Sequence, residues 1–154
     1  MTLLWSLLGN LCLVAPLTAW VSAQLLKFIL NALGTGKFRG ERLWGSGGMP
    51  SAHSATVCAL STTIGIVYGL DSGVFALSVV FSLVVMYDAC GVRREAGRHA
   101  VFLNELSAER EPSGAAAAGK PYHELVGHTL PQVIAGAALG IAVGVLFSGL
   151  WGVL

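Results

Sequence analysis

Charge is scarce in this sequence. Lys and Arg number 9 and Asp and Glu 8, so only 11% of the 154 residues are charged. A formal net charge of +1 leaves no global field to recruit nucleic acid or a strongly acidic partner. Cysteine is sparse as well: Cys12, Cys58 and Cys90 are odd in number, fall inside apolar runs and lack the CxxC spacing of a metal or redox site. They read as buried thiols, and neither a metal nor a cofactor is expected. The start, Met1-Thr-Leu-Leu-Trp5, has no basic stretch, so the first apolar run is expected to be a retained span and not a cleaved signal.

What is abundant is apolar surface: 55% of the residues are hydrophobic, a membrane composition. Hydrocarbon offers no hydrogen-bond partners, so the backbone must satisfy itself within helices. The expected fold is all-α, a multi-pass transmembrane helical bundle forming one membrane domain over 1–154. About four stretches approach the roughly 20 apolar residues that a span needs. They run from about Thr2 to Ala23 with Pro16 inside, from Pro50 to Leu70, from Ser72 to Tyr87 and from Leu130 to Leu154. Pro50 suits a first helical turn, where its missing N–H costs nothing.

The basic residues are distributed one-sidedly. Lys27, Lys37, Arg39 and Arg42 lie between the first two spans, and Arg93, Arg94, Arg98, Arg110 and Lys120 between the last two. The short link Gly69-Leu-Asp-Ser-Gly73 holds none. The positive-inside rule then predicts a cell-membrane protein with both long connections cytoplasmic. Val92 to Glu111 repeats apolar residues at helical spacing, with Arg93, Arg94, Arg98, Glu105 and Glu109 on the other face, which predicts an amphipathic helix along the interface. Residues 111–121 are low in complexity and bracketed by prolines, as in a flexible link. Gly136, Gly140 and Gly144 form a glycine face on the fourth span that allows close helix approach, either within the monomer or across a homodimer seam.

Three features carry chemistry. Ser46-Gly-Gly-Met-Pro-Ser-Ala-His-Ser54 feeds a glycine-rich turn into a helix start. Free N–H groups there, near Gly48 and Ser51, suit a phosphate or similar oxyanion within reach of His53; the alternative is a plain capping turn with an interfacial histidine. In Gly127-His-Thr-Leu-Pro-Gln132, Thr129 and Gln132 fit a capping box, placing His128 just before another helix N-terminus. Tyr87-Asp-Ala-Cys-Gly-Val-Arg-Arg94 puts Asp88 at the end of a span, free to orient an imidazole or to pair with Arg93 or Arg94. The predicted topology brings Pro50, Asp88 and His128 to one membrane face. Lys37 and Arg42 are further candidates for phosphate contact, or else orientation signals and anionic-lipid contacts.

Pro50-Ser-Ala-His53 resembles the Pro-Ser-Gly-His signature of the type 2 phosphatidic acid phosphatase and vanadium haloperoxidase superfamily. Gly47-Gly-Met-Pro-Ser-Ala-His-Ser-Ala-Thr56, Val85-Met-Tyr-Asp-Ala-Cys-Gly-Val-Arg-Arg94, Leu103-Asn-Glu-Leu106 and Leu125-Val-Gly-His-Thr129 are similar to its divergent bacterial and plant branch. The resemblance covers about Gly47 to Gly140. It implies metal-independent phosphate-ester hydrolysis through a phosphohistidine, with His128 as nucleophile and His53 as general acid. Departures fall on the catalytic signatures. Tyr122 stands where an arginine is usual, Gln132 where an aspartate is usual, and the signature of a lysine seven residues before an Arg-Pro pair has no counterpart. Arg93 or Arg94 would replace the arginine and Asp88 the aspartate.

The expected function is therefore a lipid-phosphate or prenyl-phosphate phosphatase at the cytoplasmic membrane face, with a membrane lipid as its partner. The competing expectations are a non-catalytic protein that binds or transports lipid phosphates, and an assembly protein acting through its glycine face. Haloperoxidase chemistry is not expected, since nothing rebuilds a dense basic cage for vanadate.

Overall fold

The computed structural model describes residues 3–36, 48–110, 122 and 127–154. All elements among these are helices: α1 (Leu3–Leu8), α2 (Leu11–Thr35), α3 (Ala52–Tyr68), α4 (Gly73–Cys90), α5 (Val92–Arg110) and α6 (Leu130–Leu150). Three helices, those beginning at Leu11, Gly73 and Leu130, are long and apolar enough to cross a membrane. The fourth, α3, is shorter at 17 residues and packs against α2, α4 and α6, whereas α4 and α6 touch one another only slightly.

The core inverts the pattern of a water-soluble protein. The largest fully buried side chains are Thr63, Ser51, Ser54 and Ser148. On α4 the buried positions are Ser78, Ser82 and Ala89, while Leu77, Phe81 and Val84 point outward. Large apolar groups on the outside and small residues at the seams are what lipid surroundings select, because close backbone approach replaces hydrophobic burial as the packing force. Buried hydroxyls are satisfied locally: Thr63 Oγ1 donates to the Ala59 carbonyl and Ser148 Oγ to the Gly144 carbonyl.

The glycine face of α6 is occupied from within the chain. A Cβ added to Gly136 would strike the Ser51 carbonyl oxygen, one at Gly140 the Ala55 carbonyl oxygen, and one at Gly144 the Thr62 side chain. The partners advance along α3 in step with the glycines, so α3 and α6 run parallel in close register. Of the two expected roles of Gly136, Gly140 and Gly144, packing within the monomer is the one these contacts display: α3 lies against the face.

The first span also differs from expectation. Gly9 and Asn10 interrupt the apolar run, and α2 begins only at Leu11, where the Asn10 carbonyl accepts the N–H groups of Leu13 and Val14. It continues through Pro16 to Gly36, whose left-handed backbone (φ 64°) closes it in the manner of a glycine C-cap. Lys27, expected in the first connection, is therefore inside the helix. It ends a ridge of buried residues four apart, Leu11, Ala15, Ala19, Ala23 and Lys27. The alanines let α2 lie close against α3 and carry the lysine into the bundle.

Two smaller boundaries shift. α3 starts one residue after Ser51, whose side chain accepts the Ser54 N–H, so Pro50 stands ahead of the cap and not in the first turn. α5 follows α4 after Gly91 and contacts no other described helix; Val92, Ala96 and Leu103 of its apolar set are exposed and Ala100 is buried. The expected link at 111–121 lies outside the described residues.

Candidate active site

Two main-chain hydrogen bonds join three helix ends. The Ser51 N–H donates to the Gln132 carbonyl at 2.9 Å, tying the start of α3 to the first turn of α6. The His128 N–H donates to the Ala89 carbonyl at 2.8 Å, tying the segment before α6 to the end of α4. Gly127, at φ 95°, lets that segment lie on the α4–α5 junction: a Cβ there would stand 2.5 Å from the Arg94 nitrogen. The shared face expected for Pro50, Asp88 and His128 is where these ends meet.

His128 is buried, 3% exposed, and its ring lies across from that of His53, with centroids 6.2 Å apart and planes inclined by 64°. The Gln132 side-chain oxygen sits 3.1 Å from His128 Nδ1 and accepts the Thr129 backbone N–H at 3.1 Å. Because a backbone N–H needs an acceptor, Gln132 must turn its oxygen, not its amine, to this corner. Nδ1 then carries the proton, and the lone pair of the neutral ring is on Nε2. Burial pushes the His128 pKa below its ordinary 6.5, aided by the charges of Lys27 and His53; the Gln132 bond and the Gly48 backbone act the other way. His53 Nδ1 is buried with no hydrogen-bond partner.

Lys27 is the site residue that the sequence reading assigned to a loop. Its charge is felt at both imidazoles, and the side chain is 5% exposed. Its stem lies along Gly48, where a Cβ would come 3.3 Å from Lys27 Cγ. Gly48 also has a positive φ of 94°, so the glycine is required twice, for the turn and for the lysine. The absence of its side chain is thus used by a neighbouring helix.

Asp88 pairs with Arg93, Oδ2 to Nε at 2.6 Å, with both side chains partly exposed. That is the simple ion pair among the two expected roles; both charges are close enough to act on the His53 ring. Arg94 contributes its backbone to the Gly127 contact, and its side chain is exposed. Ser51 is fully buried, its hydroxyl engaged as the α3 cap and as acceptor from the Ser54 hydroxyl at 3.1 Å. Lys37 and Arg42 lie outside the described residues. Tyr122, at the position where an arginine was expected, is held by Asn104 on α5 through two hydrogen bonds, from its N–H at 2.9 Å and to its carbonyl at 3.0 Å.

A family model described as the divergent PAP2 family matches residues 8–143. The chain belongs to this family. It is also similar to the uncharacterized membrane protein YuiD of Bacillus subtilis (strain 168), 36% identical over 151 residues that cover 88% of this chain and 92% of the relative. No solved structure matches. The divergent PAP2 match begins well before Gly47, where the sequence resemblance began, and takes in α2 with Lys27. Every residue of the cluster above lies inside it. Membership and the three long apolar helices together make this a helical membrane protein of PAP2-like type.

Proposed function

We propose that the chain is a metal-independent phosphatase acting on a lipid phosphate, a phosphomonoester or diphosphate, at the cytoplasmic face of the cell membrane. The observation that carries this reading is the pair of imidazoles, 6.2 Å apart, one with an oriented tautomer and both within the field of the buried Lys27. His128 Nε2 attacks phosphorus, and the bond from phosphorus to the lipid oxygen breaks. His53 gives its proton to that oxygen, releasing the lipid alcohol from a monoester, or by the same step at the bridging oxygen the lipid monophosphate from a diphosphate, and leaving phosphohistidine. Water then attacks phosphorus, His53 takes a proton from it, and phosphate departs from His128.

Lys27 holds the phosphoryl oxygens from α2, and Arg93 and Arg94 approach from the α4–α5 junction. Gly48 shapes the cradle, and Ser51 holds the start of α3. Gln132 orients His128 but brings no charge to its cation, so turnover is slower than with a carboxylate there. Asp88 acts through Arg93. Lys37 and Arg42 draw the anionic headgroup to the surface.

Purified protein should release phosphate from a panel of lipid phosphates, and His128→Ala should abolish the release. His53→Ala should cost on the order of 10²–10⁴-fold, with much of the loss recovered on an aryl phosphate whose leaving group needs no proton. Gln132 and Tyr122 favour a second reading, a carrier that binds lipid phosphates without turnover; tight binding with no release would select it. The sidedness is tested by a cysteine at Gly114, which should be labelled only from the cytoplasmic side.

A further inference from the structure

The stretch Leu103-Asn-Glu-Leu106 has no part in the cluster around the histidines, yet Asn104 binds the main chain of Tyr122 through both ends of its amide. Its Oδ1 accepts the Tyr122 N–H at 2.9 Å, and its Nδ2 donates to the Tyr122 carbonyl at 3.0 Å. This is the exchange that a strand residue makes with the residue opposite it in an antiparallel ladder, with a side-chain amide in place of the second backbone. The Tyr122 ring takes no part and is exposed. Position 122 is thus gripped by its main chain, and an arginine or a tyrosine there would be held alike.

Tyr122 stands six residues before His128, and the chain is held again close to that histidine. Gly127 lies against the Arg93–Arg94 main chain, and the His128 N–H is tied to the Ala89 carbonyl. All three holds belong to one arm, α4 and α5. Arg94 and Asn104 are ten residues apart on α5, about 15 Å at 1.5 Å per residue. Tyr122 and Gly127 are five residues apart, a reach of at most about 18 Å. The two grips are therefore set close to the greatest separation that their spacing in sequence permits, and a displacement at one is felt at the other. Between them on α5, Gly97 and Ala100 share the face of Asn104 and are buried, although α5 packs on no described helix but α4.

We propose that Asn104 is a positioning residue for His128: its amide fixes the Tyr122 main chain, and with it the place of the imidazole opposite His53. The proposal rests on the reading of His128 as the nucleophile. Asn104 lies outside the cluster, so its loss changes where the ring stands and not how the phosphate is bound.

The test uses full-length protein in detergent, with phosphatidic acid and a prenyl phosphate as substrates. Asn104→Ala should lower kcat on the order of 10- to 100-fold, the cost of a displacement of about 1 Å, while KM stays within about threefold of native. Asn104→Gln, the same amide on a longer stem, should recover part of the loss. If Asn104→Ala does not fold, Asn104→Leu deletes both bonds and keeps the volume. Burial holds the native His128 pKa below 6.5; in Asn104→Ala the labelled imidazole should titrate closer to 6.5, and the acid limb of kcat should move with it. Lower stability alone moves neither. Glu105→Gln, one position away and exposed, should leave rate and titration unchanged. A native kcat in Asn104→Ala overturns the proposal, as does a rise in KM at unchanged kcat, or a loss of kcat with the acid limb unmoved. If native protein releases phosphate from neither substrate, the phosphatase reading fails; a shifted His128 titration then still upholds the role of Asn104, and an unshifted one overturns it.

Discussion

The side-chain oxygen of Gln132 serves His128 Nδ1 and the Thr129 N–H together, each at 3.1 Å. One amide thereby caps α6 and sets the tautomer of the ring beside it, so helix stability and ring orientation share an atom. Gln132→Ala should remove both, with a cap loss of about 1 kcal/mol in thermal unfolding and a fall in phosphate release on the order of tenfold or more. Gln132→Glu should keep the cap and add charge at Nδ1. Its phosphate release should exceed that of the native protein; a rate at or below native would show that the ring needs no charged partner.

The His128 pKa is lowered, chiefly by burial, which fixes the sign of two pH effects. The folded ring stays neutral, and so nucleophilic, to a pH below the ordinary 6.5, so the acid limb of kcat governed by His128 should lie below that value. For stability, the unfolded ring binds a proton first as pH falls. Stability should therefore be constant above about 6.5 and decline as pH drops from there through the folded value. Unfolding in detergent across that window, with His128→Gln as the comparison, checks the assignment.

Lys27→Met keeps the stem against Gly48 and deletes the charge. A charge-assisted hydrogen bond contributes about 1.5–3 kcal/mol, so affinity for lipid phosphate should fall on the order of 10- to 100-fold. Thermal unfolding of the variant, read alongside, separates any effect on the fold from the loss of the charge. Unchanged binding would assign Lys27 to the scaffold alone.

Gly140→Ala should destabilise the protein by about 1–3 kcal/mol, the cost of overpacking, because its new Cβ meets the Ala55 backbone. The loss should appear as a lower unfolding temperature with no change in oligomeric state. Dissociation of a dimer without loss of monomer stability would return the stripe to an intermolecular role.

Breaking the Asp88–Arg93 pair with Asp88→Asn should alter stability by less than about 1 kcal/mol, as for other solvent-accessible pairs. Phosphate release should fall, because the freed Arg93 charge no longer has a fixed place near His53. A double-mutant cycle with Arg93→Gln separates the pair from the individual side chains.

The helices from Pro50 onward were legible in the sequence because their apolar runs begin at strong local signals: Ser51, Ser72 and Thr129 are the N-caps of three of them. The convergence of Pro50, Asp88 and His128 followed from counting spans and placing basic residues. Lys27 was not legible by hydropathy, since Gln24, Lys27 and Asn31 end an apolar window although they lie on one helical face. The spacing of Ala15, Ala19 and Ala23 was the available signal, a close-packing ridge pointing at the lysine. The choice between Asp88 as a partner of an imidazole and of Arg93 needed coordinates, because both distances depend on side-chain rotamers. The destination of the glycine face likewise depended on which helix lay parallel to α6.

The bonds from Ser51 to Gln132 and from His128 to Ala89 are made by the main chain, which no ordinary substitution removes. Residues around the two rings are consequently free to be exchanged during evolution while the helix ends stay where they are. A lineage with this frame can trade an aspartate for Gln132, or an arginine for Tyr122, and adjust its reaction, slow it or surrender it to a binding role, without first having to rebuild the architecture that brings the two rings together.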